Sequence, residues 1–307
     1  MYNILITGGH GFVGTNLVNY FLSDLKHLLF IPTKSELNLL DGVDNIYNYL
    51  QFHQIDTIIH LAATVAGLPG NIGNQGLFMY ESLQMGMNIF EAARKYKITK
   101  LINLSTVCGY HAIGPKPFKE ENYWNGLPHE SNRGYGMAKR TLVMLGIEYE
   151  RQYGMNITNL IPINLVGPYD QSDHVIMDII KKFESVKRSN DDKIILWCKG
   201  SATREFVDVL DLCRAINYSL NIKTDAWPIN IGTGREISIY DLAYMIKRIG
   251  GYNVVIEWDD TKPEGQSSRQ LDINKAKNIL GWEPSIKLED SIKRTIHWYK
   301  EKLSEER

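Results

Sequence analysis

The sequence predicts an α/β fold: a doubly wound parallel sheet followed by a smaller C-terminal α/β lobe. Short apolar or β-branched runs alternate with longer stretches of helical period through the first half, and a glycine cluster separates the first run from the first helical stretch. Past Pro162 the texture shifts to shorter elements between loops rich in Asp, Lys and Ser. With 307 residues, 44% of them apolar and 22% charged, and with 25 Gly and 10 Pro, the chain can bury a large core and is not collagen-like, mucin-like or disordered.

Taken in order, Tyr2 to Thr7, Leu28 to Pro32, Asp56 to Leu61, Lys100 to Ser105 and Ile157 to Pro162 read as parallel strands. Between them Phe12 to Ser23, Asp44 to Gln54, Leu77 to Tyr96 and Tyr135 to Tyr153 read as helices, which makes repeated βαβ units. Asp208 to Leu220 reads as a further helix and Pro228 to Gly232 as a strand that could rejoin the first sheet. Ser238, with Asp241 three residues on, caps a helix through Ile249. Lys187 to Lys193 and Asp259 to Ser268 read as loops. The expected division is a dinucleotide-binding unit over residues 1–165, rejoined by 206–233, and a second lobe built from 166–205 and 234–307.

Lys plus Arg (34) nearly cancels Asp plus Glu (35), so no basic field points to nucleic acid or an anionic membrane, and any anionic ligand must be held locally. Cys108, Cys198 and Cys213 are too few and too scattered for a disulfide framework or a zinc knuckle; the latter two sit in apolar surroundings and read as core. No stretch reaches the roughly 18 apolar residues of a membrane span, and no basic leader precedes the first strand. The expectation is a cytoplasmic protein with no metal.

The strongest local motif is Gly8-Gly9-His10-Gly11-Phe12-Val13-Gly14, placed after a strand and opening a helix. Glycines there permit a tight turn and let backbone N–H groups approach a pyrophosphate at the helix N-terminus, the signature of a Rossmann-type dinucleotide site. The second strand ends Pro32-Thr33-Lys34-Ser35 with no carboxylate for a ribose hydroxyl, so Lys34 favours NADP(H). Glu36 nearby keeps NAD(H) open, as does Lys34 read as a solvated surface residue. Tyr135 and Lys139 are spaced i, i+4, which puts a phenol and an ammonium on one helix face, where the cation would favour the tyrosinate. Thr106, leaving the fourth strand, could hydrogen-bond a substrate oxygen.

On these residues the chain resembles the extended short-chain dehydrogenase/reductase superfamily and, within it, the GDP-L-fucose synthase group of epimerase-reductases. The likeness also takes in Glu36 to Asp41, Leu61-Ala62-Ala63, Thr106 with Cys108 and Tyr110, Pro162 to Pro168, His174-Val175-Ile176, Trp197 to Phe206, Lys262 to Gly265 and Leu280 to Pro284. It implies a 4-keto sugar substrate whose C3 and C5 protons are acidified, with Cys108 removing a proton and His174 returning one. NADPH then reduces C4, with Tyr135 as proton donor, Lys139 orienting the nicotinamide ribose and Thr106 on the carbonyl oxygen. The resemblance places Asn38 and Leu39 near the adenine, and Leu61, Ala62, Ala63, Pro162, Asn164, Leu165 and His174 along the cofactor. Asn164, Lys182, Trp197, Arg204, Arg269 and Lys262 are placed toward the GDP-sugar.

Several residues depart from the group. The Tyr169 to Asp173 loop is shorter than usual, His10 and Pro32 stand where arginines occur, His111 follows Tyr110 in place of proline, and Thr106 replaces serine. The helices Leu77 to Tyr96 and Tyr135 to Tyr153 form a dimer bundle in similar proteins, so a homodimer is expected. From the residues themselves other readings stay open: an NAD-retaining 4-epimerase or 4-oxidase, a 4-ketoreductase in which Cys108 is packing and His174 a helix cap, and a non-catalytic dinucleotide sensor.

Overall fold

A computed structural model describes residues 1–24, 26–65, 73–189, 191–261 and 266–305. Strands β1 (Asn3–Thr7), β2 (Leu28–Phe30), β3 (Thr57–His60), β4 (Lys100–Leu104), β5 (Ile157–Pro162) and β9 (Ile229–Ile231) form a six-stranded parallel sheet in the order β2-β1-β3-β4-β5-β9. Because β1 pairs with β2 on one side and β3 on the other, the chain's winding reverses at β1, and the crevice beyond its C-terminal end is where open α/β sheets bind ligands. The strand at Ile229–Ile231 does rejoin this sheet, parallel to β5.

Helices α1 (Phe12–Leu22), α2 (Val43–Phe52), α3 (Gln75–Tyr96), α4 (Arg133–Tyr153) and α6 (Val209–Leu220) flank the sheet. Helix α3 lies along α4 with Gly86 pressed on Leu142, where a Cβ would fall 2.3 Å from a leucine methyl. Lys97, in the left-handed region, ends α3, and Gly154 does the same for α4.

Beyond Pro162 the structure departs from the expected loops. Helix α5 (Val175–Ser189) runs through Lys187, because Val186 packs against the apolar side of the lobe and carries the helix onward. The strands β6 (Asn164–Val166), β8 (Thr203–Asp208) and β10 (Glu236–Ser238) make a three-stranded sheet, and β7 (Lys193–Trp197) pairs in parallel with β11 (Val255–Asp259). Helices α7 (Ile239–Gly250) and α8 (Leu288–Glu305) complete the lobe. Ser238 caps α7 as anticipated, its hydroxyl accepting from the Asp241 N–H at 3.0 Å.

Two hydrophobic cores result. One fills the space around the six-stranded sheet, and the other joins Ile176, Ile180 and Phe183 of α5 to Leu242 and Ile246 of α7 and Ile292 of α8. Leu271, Leu280 and Trp282, expected with the second lobe, pack into the first core instead. Trp282 is fully buried, and its indole N–H donates to the Asp211 carbonyl on α6 at 2.9 Å, which anchors this returning segment. The two cores leave a cleft between them at the C-terminal ends of β1, β3, β4 and β5.

Candidate active site

A cavity of about 1300 Å³ occupies this cleft. At one end the glycine loop turns tightly: Gly8 adopts φ +73, and the Gly11 N–H donates to the Gly8 carbonyl at 3.1 Å. A Cβ on Gly14 would lie 2.3 Å from the Gly8 carbonyl oxygen and 2.4 Å from Gly9 Cα, so only glycine lets α1 start this close to β1. No side chain caps α1 and no acid lies in its first turn, which leaves a helix N-terminus suited to a diphosphate. His10, Gly11, Phe12 and Val13 line the same end, and the His10 ring sits 3.1 Å from the Ile31 carbonyl.

The end of β2 bears on which dinucleotide fits. Glu36 turns away from the cavity: its carboxylate accepts the Thr33 N–H at 2.7 Å and the Thr33 hydroxyl at 2.8 Å, and these bonds hold it below the usual carboxylate range. Lys34 lines the cavity and Glu36 does not. Asn38 and Leu39 follow on the wall, with Asn88 donating to the Leu39 carbonyl at 2.8 Å. Leu61, Ala62 and Ala63, leaving β3, form the opposite rim.

At the centre, Thr106 leaves β4 and caps the turn Val107–Gly109, its hydroxyl accepting the Cys108 N–H at 3.2 Å. This corner is braced from behind by Tyr123, whose hydroxyl lies 2.8 Å from that of Ser105 and donates to the Thr106 carbonyl at 3.2 Å. Tyr135 reaches the corner from α4 and lines the same cavity as Thr106. Burial pushes the Tyr135 phenol well above its ordinary value, with the neighbouring Cys108 and Tyr123 adding to the effect. This corrects the expectation of a cation-favoured tyrosinate. Lys139 is not at the cavity wall: it is 2% exposed, its ammonium donates to the Leu104 carbonyl at 2.9 Å, and burial lowers it to about 8. The phenol is therefore held in its proton-bearing form.

Cys108 and His174 open on this same cavity. His174 stands exposed at the start of α5, its carbonyl accepting from the Asp178 N–H and its Nδ1 lying 2.7 Å from the Ser172 hydroxyl. Ser172 is fixed in turn by its N–H on Asp170 at 2.9 Å. The Cys108 sulfur accepts from the Asn132 amide at 3.0 Å and faces the Arg269 guanidinium at 3.5 Å. Asn132 and Ser172 escape the sequence reading because their importance is tertiary; an Asn three residues before Tyr135 is the one hint.

The far end of the cavity is lined by Lys182, Trp197 and Arg204, while Pro162, Asn164 and Leu165 border its middle. Lys182 pairs with Asp178 at 2.9 Å and lies over the Trp197 ring at 5.9 Å. The Asn164 amide donates to the Glu205 carbonyl at 2.8 Å. Cys213 is buried as expected, but Cys198 is not core: it takes a positive φ of 64 after Trp197 and lines the cavity, because β7 ends there and its neighbours turn outward. Lys262 lies outside the described residues. Among the described residues no helix is long and apolar enough to cross a membrane.

The NAD dependent epimerase/dehydratase family model matches residues 4–232. A GDP-L-colitose synthase from Yersinia pseudotuberculosis is 33% identical over 96% of this chain and 97% of its own length. The GDP-L-fucose synthase of Escherichia coli (strain K12) is 29% identical over 97% and 96%. Among solved structures, a GDP-mannoheptose C4 reductase from Campylobacter jejuni with NADP bound superposes with a TM-score of 0.87 at 25% identity, covering 97% of this chain and 98% of that one.

Proposed function

The chain belongs to the NAD dependent epimerase/dehydratase family, and from that membership we propose that it epimerises a GDP-linked 4-keto-6-deoxy hexose at C3 and C5 and reduces it at C4 with NADPH. The observation that carries the reading is the meeting of Cys108, His174, Tyr135 and Thr106 in one cavity that begins at the glycine loop. NADPH supplies the hydride for C4. Thr106 holds the C4 oxygen, and Tyr135 gives it the phenolic proton, for which a protonated phenol is required. In the earlier steps the Cys108 thiolate takes a proton from C3 or C5, the C–H electron pair passing to the C4 oxygen as an enolate. The His174 imidazolium returns a proton to the opposite face.

The diphosphate of the cofactor fits the α1 N-terminus, the adenosine end reaches Lys34, and the GDP portion fits between Lys182, Trp197 and Arg204. Since Glu36 is occupied by Thr33, Lys34 is the charge that meets the 2′-phosphate. Lys34→Ala is expected to weaken NADPH binding relative to NADH by about tenfold, the worth of one charge-assisted contact. Calorimetric titration with both nucleotides checks this, and an unchanged preference would return Lys34 to the solvent.

We place the protein in the cytoplasm as a homodimer formed through α3 and α4. Leu77, Tyr80 and Met87 stand exposed along α3 at helical spacing, and Met144 is exposed on α4. Sedimentation equilibrium at micromolar concentration should return twice the chain mass, and a monomer would contradict the placement.

A further inference from the structure

We propose that Asn132 and Arg269 are positioning residues that hold the Cys108 sulfur in its anionic, proton-accepting form. The inference rests on the reading of Cys108 as the base and goes on to say what activates it. Two N–H donors converge on one sulfur from segments far apart in the chain: Asn132 Nδ2 at 3.0 Å from the start of α4, and Arg269 Nη1 at 3.5 Å from the segment after β11. A thiol is a poor acceptor, whereas a thiolate gains from each donor and most from a cation.

Both donors are held rather than free. The Arg269 Nε donates to Gln266 Oε1 at 2.8 Å, and its backbone N–H donates to Glu236 Oε1 at 2.9 Å. The Ser268 hydroxyl donates to the same carboxylate oxygen at 2.7 Å. Gln266 closes the loop, its amide donating to the Ala112 carbonyl at 2.9 Å, four residues beyond the cysteine. The segment bearing Arg269 is thus clamped to the one bearing Cys108. Asn132 is buried at the N-terminus of α4, and Gly136 in the next turn presses on the Cys108 carbonyl, where a Cβ would fall at 2.2 Å. That contact fixes the helix against the cysteine turn.

The other titratable and charged groups around the sulfur do not duplicate this role. Tyr135 from α4 and Tyr123 from the turn Glu120–Trp124 are both held protonated by burial. Arg140 directs its guanidinium to the Gly109 and Gly126 carbonyls, and Lys139 to that of Leu104. His129, three residues before Asn132 in the chain, is held below its ordinary value by burial and by Arg269 itself. His174 and Arg204 line the cavity. When Cys108 takes the substrate proton, an S–H bond forms as the C–H bond breaks and its electron pair moves to the C4 oxygen. Arg269 and Asn132 then face a neutral thiol, which the solvent must deprotonate again.

The test needs no sugar. Iodoacetamide alkylates a thiolate with loss of iodide, and peptide mapping reports the rate at Cys108 separately from Cys198 and Cys213. The pH at which alkylation reaches half its alkaline limit is compared in the wild type, Arg269→Gln, Arg269→Lys and Asn132→Asp. Arg269→Gln is expected to raise the midpoint by about one unit and slow alkylation about tenfold at neutral pH. Arg269→Lys should restore part of the shift, and Asn132→Asp, which replaces a donor with a carboxylate, should raise the midpoint further. Cys213 is fully buried, so its alkylation marks any misfolded fraction, and midpoints are compared only where Cys213 stays unreactive. Identical midpoints at Cys108 in all four proteins, or an equal movement at Cys198, would overturn the proposal. Failure to turn over a GDP-4-keto sugar would instead refute the substrate reading and leave this comparison standing.

Discussion

Tyr135→Phe is expected to slow NADPH oxidation on a GDP-linked 4-keto sugar by about 10²- to 10⁴-fold, the range that one positioned proton donor contributes. The substitution deletes a single oxygen. The ring keeps its packing at the head of α4, so the protein should stay folded and bind NADPH as before. What disappears is the proton for the C4 alkoxide, held ready because burial keeps the phenol protonated. Hydride transfer onto a carbonyl whose oxygen cannot be protonated is uphill, so kcat should fall far more than KM rises. Deuterium wash-in at C3 and C5 should survive, since those steps use other groups. A loss smaller than about tenfold would assign the proton to another donor.

Cys108→Ser is expected to have the opposite selectivity. A serine hydroxyl is a far weaker acid than a thiol and gains little from Arg269, so exchange of the C3 and C5 protons with solvent should drop by about a hundredfold or more. Reduction of the unepimerised 4-keto sugar should persist, because Tyr135 and Thr106 are untouched, and the product should carry altered stereochemistry. The two variants therefore separate two chemistries within one cavity. If Cys108→Ser left wash-in intact, the cysteine would be a packing residue beside the nicotinamide site and the epimerisation would need another base.

The sheet and the cofactor end of the site were legible because they are built from local signals. A strand that runs into Gly8 to Gly14 and then into a helix is dictated within some twenty residues, and Tyr135 with Lys139 is a matter of helical period. Strands β6, β9 and β10 are three residues each, too short for a two-residue alternation to stand out, and only Ile229–Ile231 betrayed itself through its flanking Pro and Gly. The end of α5 is masked in the sequence because its last turn is rich in Lys and Ser, although Val186 still packs inward.

The position of Lys139 behind the wall follows from its i, i+4 spacing only once the direction of Tyr135 is known. Arg269, placed by the resemblance toward the GDP-sugar, reaches Cys108 as well, while Asn132 and Ser172 went unread because they matter through what they touch, Cys108 in one case and His174 in the other. Glu205 is a similar omission. It is fully buried, is raised to about 7 by that burial, and accepts the Leu271 and Gly234 N–H groups at 2.8 Å, so it ties the returning segment to the sheet that presents Arg204. Partners from 29 to 66 residues away in sequence leave no local pattern to read.

The most direct measurement is incubation of the purified protein with GDP-4-keto-6-deoxymannose and NADPH in D2O, following the reduced nicotinamide by absorbance and the sugar by mass spectrometry and NMR. NADPH is expected to be consumed and the product to carry solvent deuterium at both C3 and C5. NADPH consumption with an unlabelled product, or an untouched cofactor beside an unlabelled sugar, would contradict that expectation.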